Sequence, residues 1–495
     1  MDAYHTLEAR FRRRHAVADA LAMLYWDRST MMPAGAADAR TDQIAELTKI
    51  AREILVAPET AEALDRAEEG RAGLDAWQDR NLSLMRRAWV NETAVPGDLV
   101  EAVQRAGAKS EMVWREAKPA NDFARQKPHL EEVIRLAREM AGVRGSALGL
   151  DPYDAQLDQF EPGLREADIA PVFADLESWL PDMVGRILEA EAARPPAVRP
   201  TGPFATPAQK RLGERFMAAL GFDFSRGRLD ESAHPFTGGI PDDSRLTTRY
   251  SDGSFVEALM GILHETGHAL YEQGLPRNWR SQPVGQSGGM ALHESQSLIV
   301  EMQLCRGPAF LDHALPLIRG AFGDDPAFDP DNMRRLVGRV RRGLIRVDAD
   351  EATYPLHVIL RHRLEKALLS GDLAVADLPG AWNDTMQDLV GIRPETDREG
   401  CLQDIHWMDG AIGYFPTYTL GALAAAQLMA ALRRDIPDLD DRIRAGDFTG
   451  FVGWLRRNVH EKGLSQTTGA VVEAASGAPL STAAFRAHLQ SRYLN

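Results

Sequence analysis

The chain has 495 residues, of which 44% are hydrophobic and 26% are charged, a composition typical of globular rather than disordered proteins. Fifty-seven basic and 72 acidic residues give a net charge of −15. A protein that binds a phosphate backbone usually carries the opposite sign. The charge balance therefore argues against a nucleic-acid partner.

The cysteines and the N-terminus predict a cytoplasmic protein. Only two cysteines, Cys305 and Cys401, are present, too few for a disulfide framework or a cysteine zinc site, and this fits a reducing compartment. The basic residues 12–14 are followed by an apolar run, but Asp19 interrupts it and no small-residue cleavage site follows. A secretory signal is therefore not expected.

Most of the chain predicts α-helix, because Ala, Leu, Arg and Glu dominate it. Leu130, Val133, Ile134 and Ala137 illustrate the apolar spacing i, i+3, i+4, i+7 of a helix with one buried face. Long alternating runs of β-branched residues are scarce, so the predicted fold is mostly α.

A proline-rich segment at 195–207 is the clearest linker-like stretch of the chain. Composition does not change across it. We therefore predict a single domain over residues 1–495, without a firm boundary at these prolines.

The best strand candidate follows at residues 246–250 and ends at the turn signal Ser251-Asp252-Gly253. It precedes a helix-forming stretch at 255–271. The expected β structure is thus one small element near that helix.

That helix contains the pattern H-E-x-x-H as His264, Glu265 and His268. Residues four apart lie on one helix face, so both imidazoles can reach one ion, and Glu265 is placed to hold a water molecule. In a chain with 13 histidines, an accidental match is expected fewer than about 0.05 times. The pattern predicts a zinc-peptidase site.

A catalytic zinc ion needs a third protein ligand and one open position. Glu294 follows His268 by 26 residues, a distance that suits a second helix packed beside the first. We predict that His264, His268 and Glu294 bind one divalent ion per chain.

His293 is adjacent to Glu294 and on a helix points about 100° away from it. We expect it to have a role in the site, behind the ligands or facing the substrate. A purely structural role is the alternative. The preceding Gly285, Gly288 and Gly289 let the loop pass close to the site.

An uncharged stretch at 410–432 is long enough to span a bilayer. It contains Pro416 and several glycines and threonines, and much of the rest is alanine. We predict a buried loop and helix there, and no membrane association.

With these motifs the chain resembles the carboxypeptidase Taq family of metallocarboxypeptidases, and the match runs from about residue 20 to the C-terminus. Single tripeptides carry no weight, but the ordered set is specific. The motifs are Tyr25-Trp-Asp27, Thr30-Met-Met-Pro33, His234-Pro-Phe236, Asp243-Ser-Arg-Leu-Thr247, His264-Glu-Thr-Gly-His268, His293-Glu-Ser-Gln296, Asp350-Glu-Ala-Thr-Tyr354, Ile392-Arg-Pro394, Gly400-Cys-Leu-Gln-Asp-Ile-His-Trp407 and Gly413-Tyr-Phe-Pro-Thr-Tyr418.

One departure is visible. The family usually continues H-E-S-Q-S with Arg and then an aromatic–acidic pair, whereas here Leu298, Ile299, Val300 and Glu301 follow. The change affects the surroundings of Glu294 and removes no ligand.

The resemblance implies a saddle-like helical fold with a deep active-site cleft, often as a homodimer. It implies removal of single residues from peptides with a free C-terminus, with broad specificity and poor cleavage next to proline. The implied cofactor is Zn2+, with Co2+ active in some relatives.

Glu265 is the predicted general base, and carries a proton from water to the leaving amine. Charge that develops on the carbonyl oxygen needs hydrogen-bond donors. By resemblance, His406, Tyr414 and Tyr418 are the candidates, although aromatic residues are more often core residues.

An exopeptidase must also bind a free α-carboxylate, for which the planar fork of arginine is suited. The chain has 50 arginines, and the family motifs point to Arg245 and Arg393, with a structural salt bridge as the alternative. Residues 246–250 are expected to pair with the substrate backbone as an added strand.

Two other functions were weighed. One is an oligopeptidase of related fold that cuts internally. The other is a non-catalytic helical protein with a structural zinc, against which Glu265 and the lack of a nearby cysteine ligand both argue.

Overall fold

The structure is a computed structural model that describes residues 2–495. Nine α-helices precede the sheet: α1 Asp2–Thr30, α2 Ala37–Val56, α3 Pro58–Glu69, α4 Ala76–Thr93, α5 Gly97–Ala120, α6 Phe123–Leu148, α7 Pro152–Phe160, α8 Glu166–Ala192 and α9 Thr206–Ala219. Local signals begin several of them. Asp75, for example, caps α4 by accepting from the N–H groups of Trp77 and Gln78. The proline-rich segment connects α8 to α9 without regular structure.

One three-stranded sheet lies in the middle of the chain. Its strands are β1 Gly227–Glu231, β2 Thr237–Ile240 and β3 Asp243–Thr248, in the order β1-β3-β2. β3 is parallel to β1 and antiparallel to β2. Leu229 and Leu246 join the same buried cluster as Leu259 and Leu263 of the following helix, which seats the sheet on that helix.

The predicted strand therefore exists, but it begins three residues earlier than expected, at Asp243, and ends at Thr248. The prediction that it pairs with substrate is wrong. β3 is the central strand and is hydrogen-bonded on both sides, so the unpaired strand edges belong to β1 and β2.

Eleven α-helices follow the sheet: α10 Val256–Gly274, α11 Met290–Leu298, α12 Pro308–Phe322, α13 Pro330–Val337, α14 Tyr354–Ser370, α15 Leu378–Val390, α16 Pro416–Asp435, α17 Leu439–Arg444, α18 Thr449–Asn458, α19 Thr468–Ser476 and α20 Ala483–Tyr493. A π-helical segment, Ile299–Cys305, continues α11. The predicted mostly helical fold with one small β element is confirmed.

Two large hydrophobic clusters form the core, and helices α11 and α16 contribute to both. Leu292 and Ala424 belong to one cluster, and their near neighbours Ala291 and Leu423 belong to the other. α16, from the uncharged stretch, is buried along most of its length, as predicted. Across residues 2–495, no helix is both long and apolar enough to cross a bilayer.

Candidate active site

Helices α10 and α11 bring the three predicted metal ligands together. The Nε2 atom of His264 lies 4.0 Å from one carboxylate oxygen of Glu294, and Nε2 of His268 lies 3.5 Å from the other. One ligand atom from each residue falls within 4.8 Å of the other two. His264, His268 and Glu294, hereafter the metal triad, thus have the geometry of a site for one ion.

A glycine inside the H-E-x-x-H pattern permits this approach. A Cβ atom at Gly267 would lie 2.6 Å from the Cα of Ser297 and would overlap the carbonyl oxygen of Gln296. Any larger side chain would push α11 away from α10 and Glu294 away from the histidines. Sequence reasoning missed this role, although the glycine lies between the two histidines.

Glu301 orients the first histidine. Its Oε2 atom lies 2.9 Å from Nδ1 of His264, and its Oε1 accepts a 2.6 Å hydrogen bond from Arg306. A carboxylate on Nδ1 fixes the imidazole so that Nε2 faces the ion. Glu301 is the acidic residue in the segment that departs from the family pattern, and sequence reasoning did not assign it a role.

The charges of the site favour a bound cation. Burial opposes ionisation of His264, but the hydrogen bond that it donates to Glu301 and the charge of Glu294 outweigh burial and raise its pKa to about 10. Burial also opposes ionisation of Glu294, yet the two histidines lower its pKa to about 2. The carboxylates of Glu294 and Glu301 thus lie within 4.0 Å of the imidazole of His264, and their negative charge also attracts a divalent cation.

The second histidine is backed by His293. The two rings stack with centroids 4.6 Å apart, and Nε2 of His293 lies 2.9 Å from a carboxylate oxygen of Glu272. Nδ1 of His268 is buried and has no hydrogen-bond partner within residues 2–495. His293 therefore stacks on a ligand and is held by Glu272, and its predicted contact with substrate stays a prediction.

Glu265 is buried and is held by the sheet. Thr237, the first residue of β2, donates from its hydroxyl to the Oε2 atom of Glu265 at 2.7 Å and to its carbonyl oxygen at 3.1 Å. The contact fixes the carboxylate beside the metal triad. Thr237 directly follows the H-P-F motif, which is the sequence signal that could have identified it.

His406, Tyr414 and Tyr418 come together as predicted. The ring of His406 lies 5.5 Å from that of Tyr414 and 6.4 Å from that of Tyr418. Burial lowers the pKa of His406 to about 4, so the ring is neutral at pH 7. Burial and the charge of Glu294 raise the pKa of Tyr414.

The two predicted carboxylate anchors lie in different places. Arg245, on β3, pairs with Asp243 at 2.6 Å and lies over the ring of Trp26 at 4.6 Å. Arg393 pairs with Asp384 at 2.7 Å, and both side chains are exposed. In the part of the chain that the structure describes, neither arginine forms a hydrogen bond or ion pair with the metal triad.

A different pair of arginines lies near the site. Arg346 and Arg361 share the carboxylate of Asp404, at 2.8 and 2.6 Å, and form with it what we call the arginine cluster. Their side chains are 5% and 0% exposed. Two guanidinium groups on one carboxylate leave one surplus positive charge in a buried place.

Tyr354 contacts this cluster, and the charge of Glu294 also acts on it. Its hydroxyl accepts a 2.6 Å hydrogen bond from Arg346. Its pKa is raised to about 12, first by burial and then, against the effect of Arg346, by the charge of Glu294. Asp404 and Tyr354 were both in recognised motifs, whereas sequence reasoning missed Arg346 and Arg361.

A helix that carries H-E-x-x-H and a neighbouring helix that carries a third carboxylate ligand define a metallopeptidase centre. The model of the Carboxypeptidase Taq (M32) metallopeptidase family matches residues 6–493. Thermostable carboxypeptidase 1 of Thermus thermophilus is 36% identical over 502 aligned residues, which cover 99% of this chain and 98% of the relative. Carboxypeptidase 1 of Bacillus subtilis is 33% identical, over 99% of each chain.

Solved structures agree. Metallocarboxypeptidase 1 of Trypanosoma cruzi is 40% identical, covers all of both chains and superposes with a TM-score of 0.98. The chain belongs to the carboxypeptidase Taq family of metallopeptidases. It is a metallocarboxypeptidase, a hydrolase of peptide bonds that uses a metal cofactor.

Proposed function

We propose that this enzyme removes single residues from peptides with a free C-terminus, with broad specificity, and that Zn2+ is its cofactor. One observation carries the proposal: a metal triad with a negative potential lies near a buried arginine cluster with a surplus positive charge. The C-terminal end of a peptide offers the carbonyl oxygen that a cation attracts and the carboxylate that an arginine attracts.

The donor set suits the proposed ion. Two imidazoles and one carboxylate are a common ligand set of catalytic zinc, and Co2+ accepts the same donors. When bound at the metal triad, the ion polarises the scissile carbonyl and lowers the pKa of a water molecule.

Glu265 acts as the general base. It accepts the proton of the attacking water and delivers it to the leaving amine, so that the carboxylate is regenerated in each turnover. The hydroxyl of Thr237 occupies its Oε2 atom, and this leaves Oε1 for the proton.

His406 and Tyr414 donate hydrogen bonds to the carbonyl oxygen as charge develops on it, and Tyr418 helps to bind the substrate. Burial raises the pKa values of both tyrosines, so their hydroxyls keep their protons at neutral pH. Donors that are already in place cost no reorganisation during the reaction.

Arg346 is our preferred anchor for the α-carboxylate over the two arginines that the motifs suggested. Arg245 and Arg393 each have a carboxylate of their own, whereas Arg346 shares one with Arg361. The surplus charge is satisfied when a substrate carboxylate binds.

The test is mass spectrometry of a blocked pentapeptide and of its C-terminal amide after incubation with zinc-loaded enzyme. We expect stepwise loss of single residues from the free acid and little cleavage of the amide. Glu265→Gln should keep the ion and lose turnover by about 10²–10⁴-fold. Internal fragments, or equal cleavage of acid and amide, would favour the oligopeptidase instead.

We also propose that residues 1–495 form one domain, that the enzyme is a homodimer and that it acts in the cytoplasm. The two helices shared between the large buried clusters support one domain. Sedimentation of the purified enzyme tests the dimer, and a single calorimetric transition tests the single domain.

A further inference from the structure

A second cavity, of about 1060 Å3, lies between the end of α8, the proline-rich connection, the region 334–342 and α20. None of the metal triad and none of the arginine cluster lines it. Ten of its lining residues are arginines, and only one, Glu191, is acidic. In a chain with net charge −15, such a concentration of one sign is unexpected. We call it the arginine cavity.

Most of these arginines have no counter-charge. Arg306, Arg334, Arg433 and Arg492 pair with carboxylates. Within residues 2–495, six others have no carboxylate oxygen within 4.0 Å: Arg194, Arg199, Arg335, Arg339, Arg341 and Arg342. Like charges gathered around one cavity repel one another, and an anion bound among them removes that repulsion.

The single acidic lining residue does not balance them. Glu191 accepts a 2.9 Å hydrogen bond from the backbone N–H of Val340. It therefore holds the loop of residues 338–342 against α8, and although the charges of Arg194 and Arg339 reach it, one carboxylate cannot balance six guanidinium groups.

The cavity also has an apolar side, formed by residues such as Leu188, Leu336, Val340, Met429 and Ala487. Its volume lies slightly above the range of about 300–1,000 Å3 that small-molecule sites occupy. A ligand that matches both sides combines several negative groups with a flat or apolar body.

We propose that the arginine cavity binds a phosphate-bearing organic molecule of nucleotide size. Its phosphates are held by the unpaired arginines and its apolar part lies against the aliphatic side. Six unpaired arginine forks around one cavity match a ligand with several negative oxygens, such as a polyphosphate, better than a single carboxylate. Peptide hydrolysis at the metal triad has no need of such a site.

One lining residue also serves the metal centre. Arg306 donates to Glu301, which holds His264. The test therefore leaves Arg306 unchanged and uses Arg339, Arg341 and Arg342, whose side chains are exposed and can be replaced without opening the core.

The experiment is isothermal titration of the metal-loaded enzyme with ATP, inorganic tripolyphosphate, adenosine and hexaglutamate. We expect ATP to bind most tightly, tripolyphosphate to bind about 3-fold or more weakly than ATP, and adenosine and hexaglutamate to bind at least about 10-fold more weakly. The combined variant R339Q/R341Q/R342Q should weaken ATP binding about 10-fold or more, and R339K/R341K/R342K by less, because ammonium groups keep the charge without the fork.

The matched control removes three other exposed arginines that have no carboxylate partner in residues 2–495, as R12Q/R13Q/R211Q. It has the same net charge and the same metal triad as the cavity variant, so it also accounts for any contact between phosphate and the ion. We expect ATP affinity within about 2-fold of the parent.

Three results would overturn the proposal. One is ATP affinity that falls equally in the control and the cavity variant. Another is hexaglutamate binding as tight as ATP binding, which would make the cavity a site for acidic peptide. The third is dissociation of a dimer in the cavity variant alone, which would show that a second copy of the chain fills the cavity.

Discussion

The metal triad is partly buried and the arginine cluster is buried, and the two carry opposite surplus charges. Around the histidines, Glu294 and Glu301 give a negative potential that attracts cations. Around Asp404, two guanidinium groups give a positive one. The difference shows that one fold holds two sites of opposite charge, and the proposed mechanism uses the first for the carbonyl oxygen and the second for the carboxylate of the substrate.

Two buried carboxyl groups make the same point. The pKa of Glu294 falls to about 2, whereas that of Glu365 rises to about 7. Burial raises both, but Glu294 has two histidines beside it, while Glu365 has neutral donors such as Tyr153 and Trp407 and the like charge of Glu166 nearby. Neighbouring charge therefore decides the sign, and burial alone does not.

The largest expected effect comes from removing one ligand of the metal triad. His268→Ala should lose stoichiometric metal and fall to background activity, because two ligands hold a catalytic ion poorly. Metal content by elemental analysis and turnover of the pentapeptide are the measurements. Stoichiometric metal together with full activity in this variant would show that the ligand set is wrong.

The next largest effect is expected from a substitution in the arginine cluster. Arg346→Ala should reduce kcat/KM for the free-acid peptide. The transition state should lose about 2–5 kcal/mol of stabilisation, as when one partner of a buried charge pair is removed. The amide should lose little, so the two substrates become similarly poor.

Arg346→Lys should restore part of the activity. This partial rescue would show that misfolding is not the cause of the loss in Arg346→Ala. Arg245→Ala is the matched control, and we expect it to spare the preference for the free acid. An equal loss on both substrates in Arg346→Ala would indicate a structural arginine.

A smaller effect is expected at the residue that orients His264. Glu301→Gln keeps an oxygen for the Nδ1 proton but removes the charge, so metal affinity should fall about 10–100-fold. Competition with a chromogenic chelator measures it. Glu272→Gln, which alters the partner of His293 instead of a ligand's partner, should have less effect, and equal losses in the two variants would contradict the assignment.

The last prediction concerns stability rather than activity. The pKa of Glu365 is about 7 when folded and near 4.5 when unfolded, so between these values the folded state holds the extra proton. The free energy of unfolding should therefore decline as pH rises from about 4.5 to 7, by about 3 kcal/mol from this group.

Glu365→Gln should remove that decline, which urea denaturation at a series of pH values would show as a changed slope. Replacement of the exposed Glu53 in the same way is the control. If parent and Glu365→Gln have parallel profiles, the carboxyl is ionised in the folded state.

Local patterns in the sequence determined much of the site. The four-residue spacing of His264 and His268 is a property of any α-helix, and the following 26 residues suffice to return a second helix with Glu294. The ordered motifs also identified His406, Tyr414 and Tyr418, which the fold brings together. These residues could be selected from the sequence because each depends on short segments whose geometry is set by nearby residues.

Only the tertiary structure decided the remaining features, because they join residues far apart in the chain. Thr237 meets Glu265 across 28 residues, Glu301 meets His264 across 37, and Arg346 meets Asp404 across 58. Composition could not select one arginine from 50, since whether a guanidinium has its own carboxylate, or shares one, depends on which side chains pack beside it. The central position of the strand at 243–248 could not be predicted for the same reason. Its pairing depends on two other strands, which lie in other segments of the chain.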